Sequence, residues 1–180
     1  MLGEEHAYTL GSIVNLGHVL QAQGKLSEAE PVLREALERS RRVLGEEHVT
    51  TLASVYSLGS LFVAQGNHAE AARLLVPTVA SARKALTGAN PRGLASFLMH
   101  LGKARTGLGE LAAAETDLLE AQPLFVKTRG PQHRDTRACT QAVVDLYTAW
   151  FAVEADKGYD AKAAEWKRKL DELGAPANRE

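Results

Sequence analysis

Apolar residues recur along this chain at intervals of three and four, the spacing of one helical face. Leu10, Ile13, Leu16 and Leu20 form the first such stripe and predict a helix from Ala7 to Gln23. Gly24 follows as a left-handed cap candidate. A second stripe, Ala29, Leu33, Ala36 and Val43, predicts a helix capped by Ser27. Polar positions on this second helix are ordered as well. Glu30 and Arg34, Glu35 and Arg39, and Glu38 and Arg42 stand four apart, acid first, as on a solvated face. Arg39, Arg41 and Arg42 also suit the negative end of the helix dipole.

The pair then repeats. Leu44-Gly45-Glu46-Glu47-His48 restates Leu2-Gly3-Glu4-Glu5-His6 at an offset of 42 residues. Fainter copies stand at Leu86-Thr87-Gly88-Ala89-Asn90-Pro91 and at Gly130-Pro131-Gln132-His133. Within the units, Gly17 aligns with Gly59 and Gly102, Gly24 with Gly66 and Gly109, and Leu33 with Leu75 and Leu118. A period of this size marks stacked supersecondary units that share one continuous core. The expected organisation is a single repeat domain over 1–173, with units at 7–43, 49–85 and 91–127 and a divergent closing pair at 134–173. A tail, 174–180, follows.

Departures from the period carry their own expectations. Gly17, Gly59 and Gly102 lie inside helices, where glycine costs ~1 kcal/mol against alanine. Their recurrence predicts a close helix crossing. Pro77 and Pro123 each predict a kink or break in a second helix. Asn90-Pro91 is a strong helix start. In the closing pair the expected glycine falls at Phe151, and the next glycine is Gly158. The first helix there should start near Arg134 and extend past Trp150. The last helix, Asp160 to Leu173, places Ala163, Trp166, Leu170 and Leu173 on one stripe.

Composition narrows the function. The 180 residues carry 21 Lys+Arg against 22 Asp+Glu, a net charge of -1, which offers no attraction to nucleic acid or an anionic membrane. The single cysteine, Cys139, excludes an internal disulfide and reads as a small buried apolar residue. No apolar run is long enough to span a bilayer. Met1 leads straight into an acidic linker rather than a signal peptide, so the cytoplasm is the expected compartment. Phosphate-loop, zinc-protease and calcium-loop motifs do not occur, and no metal or other cofactor is expected. His6, His48 and His133 occupy equivalent linker positions, about 10 Å apart in stacked helix pairs, too far to share one ion. A capping or packing role is expected of them.

The pattern Leu16-Gly17, Leu20, Gly24, Ala29, Leu33 and Ala36, with the linker Leu44-Gly45-Glu46-Glu47-His48-Val49-Thr50, resembles the tetratricopeptide repeat family. The match is to its 42-residue variant, as in kinesin light chains. It is strong over 2–128 and weaker over 129–173. Ala7 and Val49 stand where the family's linker proline is expected. The segments 143–150 and 163–166 are similar to the closing part of bacterial serine/threonine kinases that end in such repeats, although no kinase motif is present. The resemblance implies an all-α, right-handed superhelical solenoid of antiparallel helix pairs, without enzymatic activity, that binds a protein or peptide. The alternative it implies is a regulatory tail of a bacterial kinase or other signalling protein.

The resemblance also implies that the first helices of the pairs line a concave binding face. Positions there not committed to the core are Val14, His18 and Gln21, then Tyr56, Ser60 and Val63. The third unit adds Met99, Lys103 and Thr106, and the closing pair adds Gln141, Asp145 and Thr148. This mixture suits a peptide held by hydrogen bonds and a few apolar pockets. The chain begins within a linker, without a capping helix, which makes two expectations: a piece cut from a longer protein, or self-association through the first unit.

Overall fold

The computed structural model describes residues 7–174. Helices account for 87% of them, and no strand occurs among the described residues. The elements are α1 (Ala7–Ala22), α2 (Leu26–Leu44), α3 (Val49–Ala64), α4 (His68–Leu75), α5 (Val79–Leu86), α6 (Pro91–Leu108), α7 (Leu111–Arg129), α8 (Arg134–Val153) and α9 (Tyr159–Gly174). They stack as antiparallel pairs. In each pair the first helix packs on the second, and each second helix packs on the first helix of the next unit. One continuous core threads the stack, from Leu33 and Leu37 through Leu61, Leu75, Phe97 and Leu118 to Leu146 and Trp150.

Two uses of glycine set the geometry. Gly24, Gly66 and Gly109 turn the chain between paired helices at φ 75°, 76° and 76°, backbone conformations that a side chain would strain. Gly17, Gly59 and Gly102 make the close approach the sequence predicts, each facing the leucine of its own second helix: Leu33, Leu75 and Leu118 respectively.

Several local expectations change. Ser27 does not cap α2; that helix starts at Leu26 with Lys25 at its N-cap position and no side-chain cap bond. The stripe assigned to α1 is turned by part of a revolution. Leu10, Val14 and Gly17 are buried, whereas Leu16 is 51% exposed. Pro77 breaks its helix as expected, since α4 ends at Leu75 and a 3-10 turn, Val76–Thr78, joins it to α5. Pro123 does not break its helix, for α7 runs unbroken through it. Nothing in the structure explains why one proline breaks its helix and the other does not. Within the 3-10 turn the Thr78 hydroxyl donates to the carbonyls of Leu74 (3.2 Å) and Leu75 (3.1 Å).

The closing pair holds by a different device. Tyr159, at the start of α9, stacks on Trp150 of α8 with ring centroids 4.3 Å apart. Glu115 of α7 accepts from the Tyr147 hydroxyl (2.6 Å) and from Lys162 Nζ (3.1 Å), tying α7, α8 and α9 together. Along α9, Leu170 is buried and Ala163 and Trp166 pack against the core, as the stripe predicts. The outward side is charged, with Lys169 paired to Glu165 (2.7 Å) and Lys167 to Asp171 (2.6 Å).

A buried ion cluster joins the second and third units. Asp117 of α7 is 1% exposed and meets Arg105 of α6 at 2.5 Å and Arg83 of α5 at 3.3 Å. Arg83 also binds Glu120 at 2.8 Å. Burial raises the Asp117 pKa, and the two arginines pull it back only in part.

Candidate functional site

The first helices α1, α3, α6 and α8 lie side by side. Residues of α1, α3 and α6, with the linker before α6, the ends of α5 and α7 and the first turn of α8, line a groove of about 990 Å³. Its wall carries a ladder of three rings, one from each helix. His18 of α1 faces Tyr56 of α3 at 5.9 Å between centroids, and Tyr56 meets His100 of α6 edge-on at 5.3 Å. Such edge contacts direct the positive rim of one ring at the negative face of the next.

Hydrogen bonds fix the state of both imidazoles. The Ser57 hydroxyl has one proton and donates it to the Ala53 carbonyl at 2.8 Å. It therefore accepts from His18 Nε2, also at 2.8 Å. The Ser96 carbonyl can only accept, so His100 Nδ1 donates to it at 2.9 Å. That leaves His100 Nε2 as an acceptor. Burial lowers the His18 pKa and pushes His100 down to about 4. Both rings are thus neutral at physiological pH. Burial also raises the Tyr56 hydroxyl above its ordinary value. The ladder is an uncharged, amphipathic surface of hydrogen-bonding rings.

Charge enters at the rim. Arg129 and Arg134 reach Asp135 at 3.6 and 3.5 Å, and exposed Arg92 stands across from them on the groove lining. Asp135 is held in place by its own backbone, because its N–H donates to His133 Nδ1 at 3.1 Å as α8 begins. His48 caps α3 in the same way, accepting from Thr50 N at 3.1 Å. These are the capping roles expected of the linker histidines; His6 lies outside the described residues.

Of the positions named from sequence, Val14, His18, Tyr56 and Met99 line this groove. The other eight do not. Gln21 donates to Ser60 Oγ at 3.4 Å further along the helices, and Val63 packs against the core. Thr106 and Thr148 return their hydroxyls to the carbonyls of Gly102 (2.9 Å) and Val144 (2.8 Å). Gln141 binds Asp145 at 2.7 Å on the exposed side of α8. Lys103 lies one turn beyond His100, close enough to disfavour its protonation. In α1, α3 and α6 the named positions that line the groove are those nearest the N-terminal ends of the helices. Stepping back by three or four from His18, Tyr56 and His100 reaches Asn15, Ala53 and Ser96, all on the lining. His100 was missed because it repeats Ser57 rather than Tyr56 in the unit alignment. Asn90, read from sequence only as a helix start, and Asp135, in the first turn of α8, also line the groove.

Comparison with known proteins agrees with this architecture. Residues 7–84 match the family model of the tetratricopeptide repeat. A crystal structure of nearly identical TPR-like repeats of Podosopora anserina, from a provisionally assigned kinesin light chain, is 27% identical with a TM-score of 0.67, covering 100% of this chain and 82% of that one. A variant of the same Podosopora anserina repeats gives 27% identity and a TM-score of 0.70, covering 100% of this chain and 81% of that one. Among curated proteins, none matches the chain. No helix of the described residues is long and apolar enough to cross a membrane. Residues 7–84 are thus similar to tetratricopeptide repeats, and the described chain as a whole is an all-helical solenoid similar to the kinesin-light-chain-like repeat structures.

Proposed function

We infer that this chain is a non-enzymatic protein-binding module that takes an extended peptide or a partner's surface segment into the concave groove. Tetratricopeptide repeats generally mediate protein-protein interaction. The observation that carries the finer reading is the ring ladder His18–Tyr56–His100, spaced at 5.9 and 5.3 Å along a groove of about 990 Å³. Neutral rings with hydrogen-bonding edges contact apolar side chains and backbone amides alike, at little cost in side-chain entropy. Arg92 and the Arg129–Asp135–Arg134 cluster at the rim would fix the direction of the bound segment.

The test is selection of peptides from a displayed random library against the intact chain, followed by calorimetric titration. Tyr56→Ala should weaken the selected peptides by roughly tenfold or more. Arg39→Ala with Arg42→Ala on the outer side should change affinity little. Lys103→Ala, one turn from the ladder, should fall between them. Peptides that lose affinity on the outer-side change and keep it in Tyr56→Ala would place recognition on the convex side and overturn the reading.

A further inference from the structure

The ring ladder has a polarity of its own. His18 Nε2 carries the proton given to Ser57, so His18 Nδ1 is bare and can only accept. His100 Nδ1 carries the proton given to the Ser96 carbonyl, so His100 Nε2 is bare in the same way. Neither bare nitrogen meets a donor among the described residues. Neither is sealed in the core, since the buried side-chain atoms without a partner there are Thr51 Oγ1, His68 Nδ1 and Arg105 Nε. Both rings line the groove, so both acceptors open into it. Burial keeps the two imidazoles unprotonated, His100 down to about 4, so these nitrogens remain acceptors at neutral pH.

The groove's charged donors lie elsewhere. Arg92, Arg129 and Arg134 are on its rim, and a guanidinium donates but never accepts. The lining is therefore split, with acceptors on the ladder and cationic donors at the rim. A segment lying on the ladder displaces water from the bare nitrogens. If it brings no donor, both are left unpaired and the contact is penalised. An extended chain supplies donors whatever its side chains are. Its backbone alternates between two edges, so the N–H groups of one edge recur at every second residue. The two acceptors are the first and third rungs, with Tyr56 between them, so they meet amides that are not neighbours in sequence.

We propose that His18 Nδ1 and His100 Nε2 read the backbone of a bound segment, each accepting an N–H from the same edge of an extended peptide. This rests on the reading of the groove as a peptide site and adds what the peptide must carry: unsubstituted amides at two positions an even number of residues apart. Proline has no N–H and is excluded from both.

The probe is a peptide selected from a displayed random library against the intact chain at neutral pH. It is resynthesised with each amide in turn replaced by an ester, which removes one N–H without adding bulk, and titrated by calorimetry. Two esters on one edge should each weaken binding roughly threefold to tenfold. The selected sequences should lack proline at the same two positions. Against His100→Phe, which keeps a ring and loses the acceptor, one of those esters should cost nothing further. Against His18→Phe the other should cost nothing further. His100→Gln, whose side-chain carbonyl accepts, should restore part of the affinity lost in His100→Phe. The ester scan on the parent chain uses no variant, so it is decisive even where a substitution unfolds the protein. Esters that leave every affinity unchanged overturn the proposal, as do esters that cost the same in the parent and in both Phe variants. In either case a peptide that still depends on Tyr56 keeps the groove reading. If no selected peptide depends on Tyr56, the groove reading itself falls and this proposal with it.

Discussion

Leu75 of α4 closes directly on Gly59 of α3. A Cβ placed on Gly59 would stand 2.8 Å from the Leu75 Cγ and Cδ2 atoms, inside any real carbon contact. Gly59→Ala should therefore force Leu75 out of its rotamer and destabilise by about 1–3 kcal/mol, with Gly59→Leu worse. Urea unfolding monitored by circular dichroism reads this as a lower midpoint with unchanged slope. Leu75→Ala alone is costly because Leu75 is fully buried, but Gly59→Ala combined with it should cost less than the sum of the two single changes, which identifies the pair as coupled.

The ion cluster around Asp117 makes a second prediction. Its carboxylate is buried between Arg105 and Arg83, so Asp117→Ala leaves Arg105, 17% exposed in its side chain, without its closest anion. The expected cost is about 2–4 kcal/mol, measured by thermal or urea unfolding. Arg83→Ala should cost much less, because Arg83 is 37% exposed and Asp117 keeps Arg105. The Asp117 pKa is raised in the folded state, so its protonated form is favoured by folding. That contribution is present at low pH and lost as pH rises through the folded pKa.

His100 sets an opposite pH dependence. Its folded pKa is about 4, against 6.5 for the free side chain. The folded state thus binds fewer protons than the unfolded state between those values. Stability should be full above pH 6.5 and fall as the pH drops toward 4. The loss should be about 3 kcal/mol by pH 4. Lys103 and His18 disfavour the charged ring and Asp135 favours it, so none of them removes the effect of burial. His100→Gln should flatten stability measured from pH 7 down to about 5. An unchanged profile would assign the acid sensitivity elsewhere.

Tyr159 anchors the last helix. Truncating it to alanine removes the stack on Trp150 and loosens Lys162, which sits 5.5 Å over the Tyr159 ring. The expected loss is about 1–3 kcal/mol. Hydrogen exchange should locate it in α9 and the end of α8, with α3 and α6 unaffected, since units in such arrays sense mainly their neighbours.

The sequence was most informative where a choice is repeated. The aligned glycines and leucines announce the crossings at Gly59 and Gly102 because the same steric demand recurs in each unit. The stripe on α1 was less legible for the same reason. Leu16 carries the apolar side chain the repeat calls for, but in this structure nothing packs over it. Periodicity reports what a position is built for, not whether its partner is there. The groove was half legible. Helix register brings Tyr56 and His18 onto its lining, whereas Asn90 and the first turn of α8 with Asp135 reach it through the way successive units stack, which no local pattern encodes. Pro77 and Pro123 look alike in sequence, yet only the first breaks its helix.

That break after Leu75 has a mechanical meaning. Where other units have a second helix of 16 residues or more, the second unit has two rods of 8 residues each, joined at Val76–Thr78. A rod of two turns has little stiffness of its own and takes its shape from what it leans on. The stack therefore has one soft joint, placed directly behind the helices that carry Tyr56 and His100. Flexing there would widen or narrow the gap between those rings while leaving the rest of the spine straight.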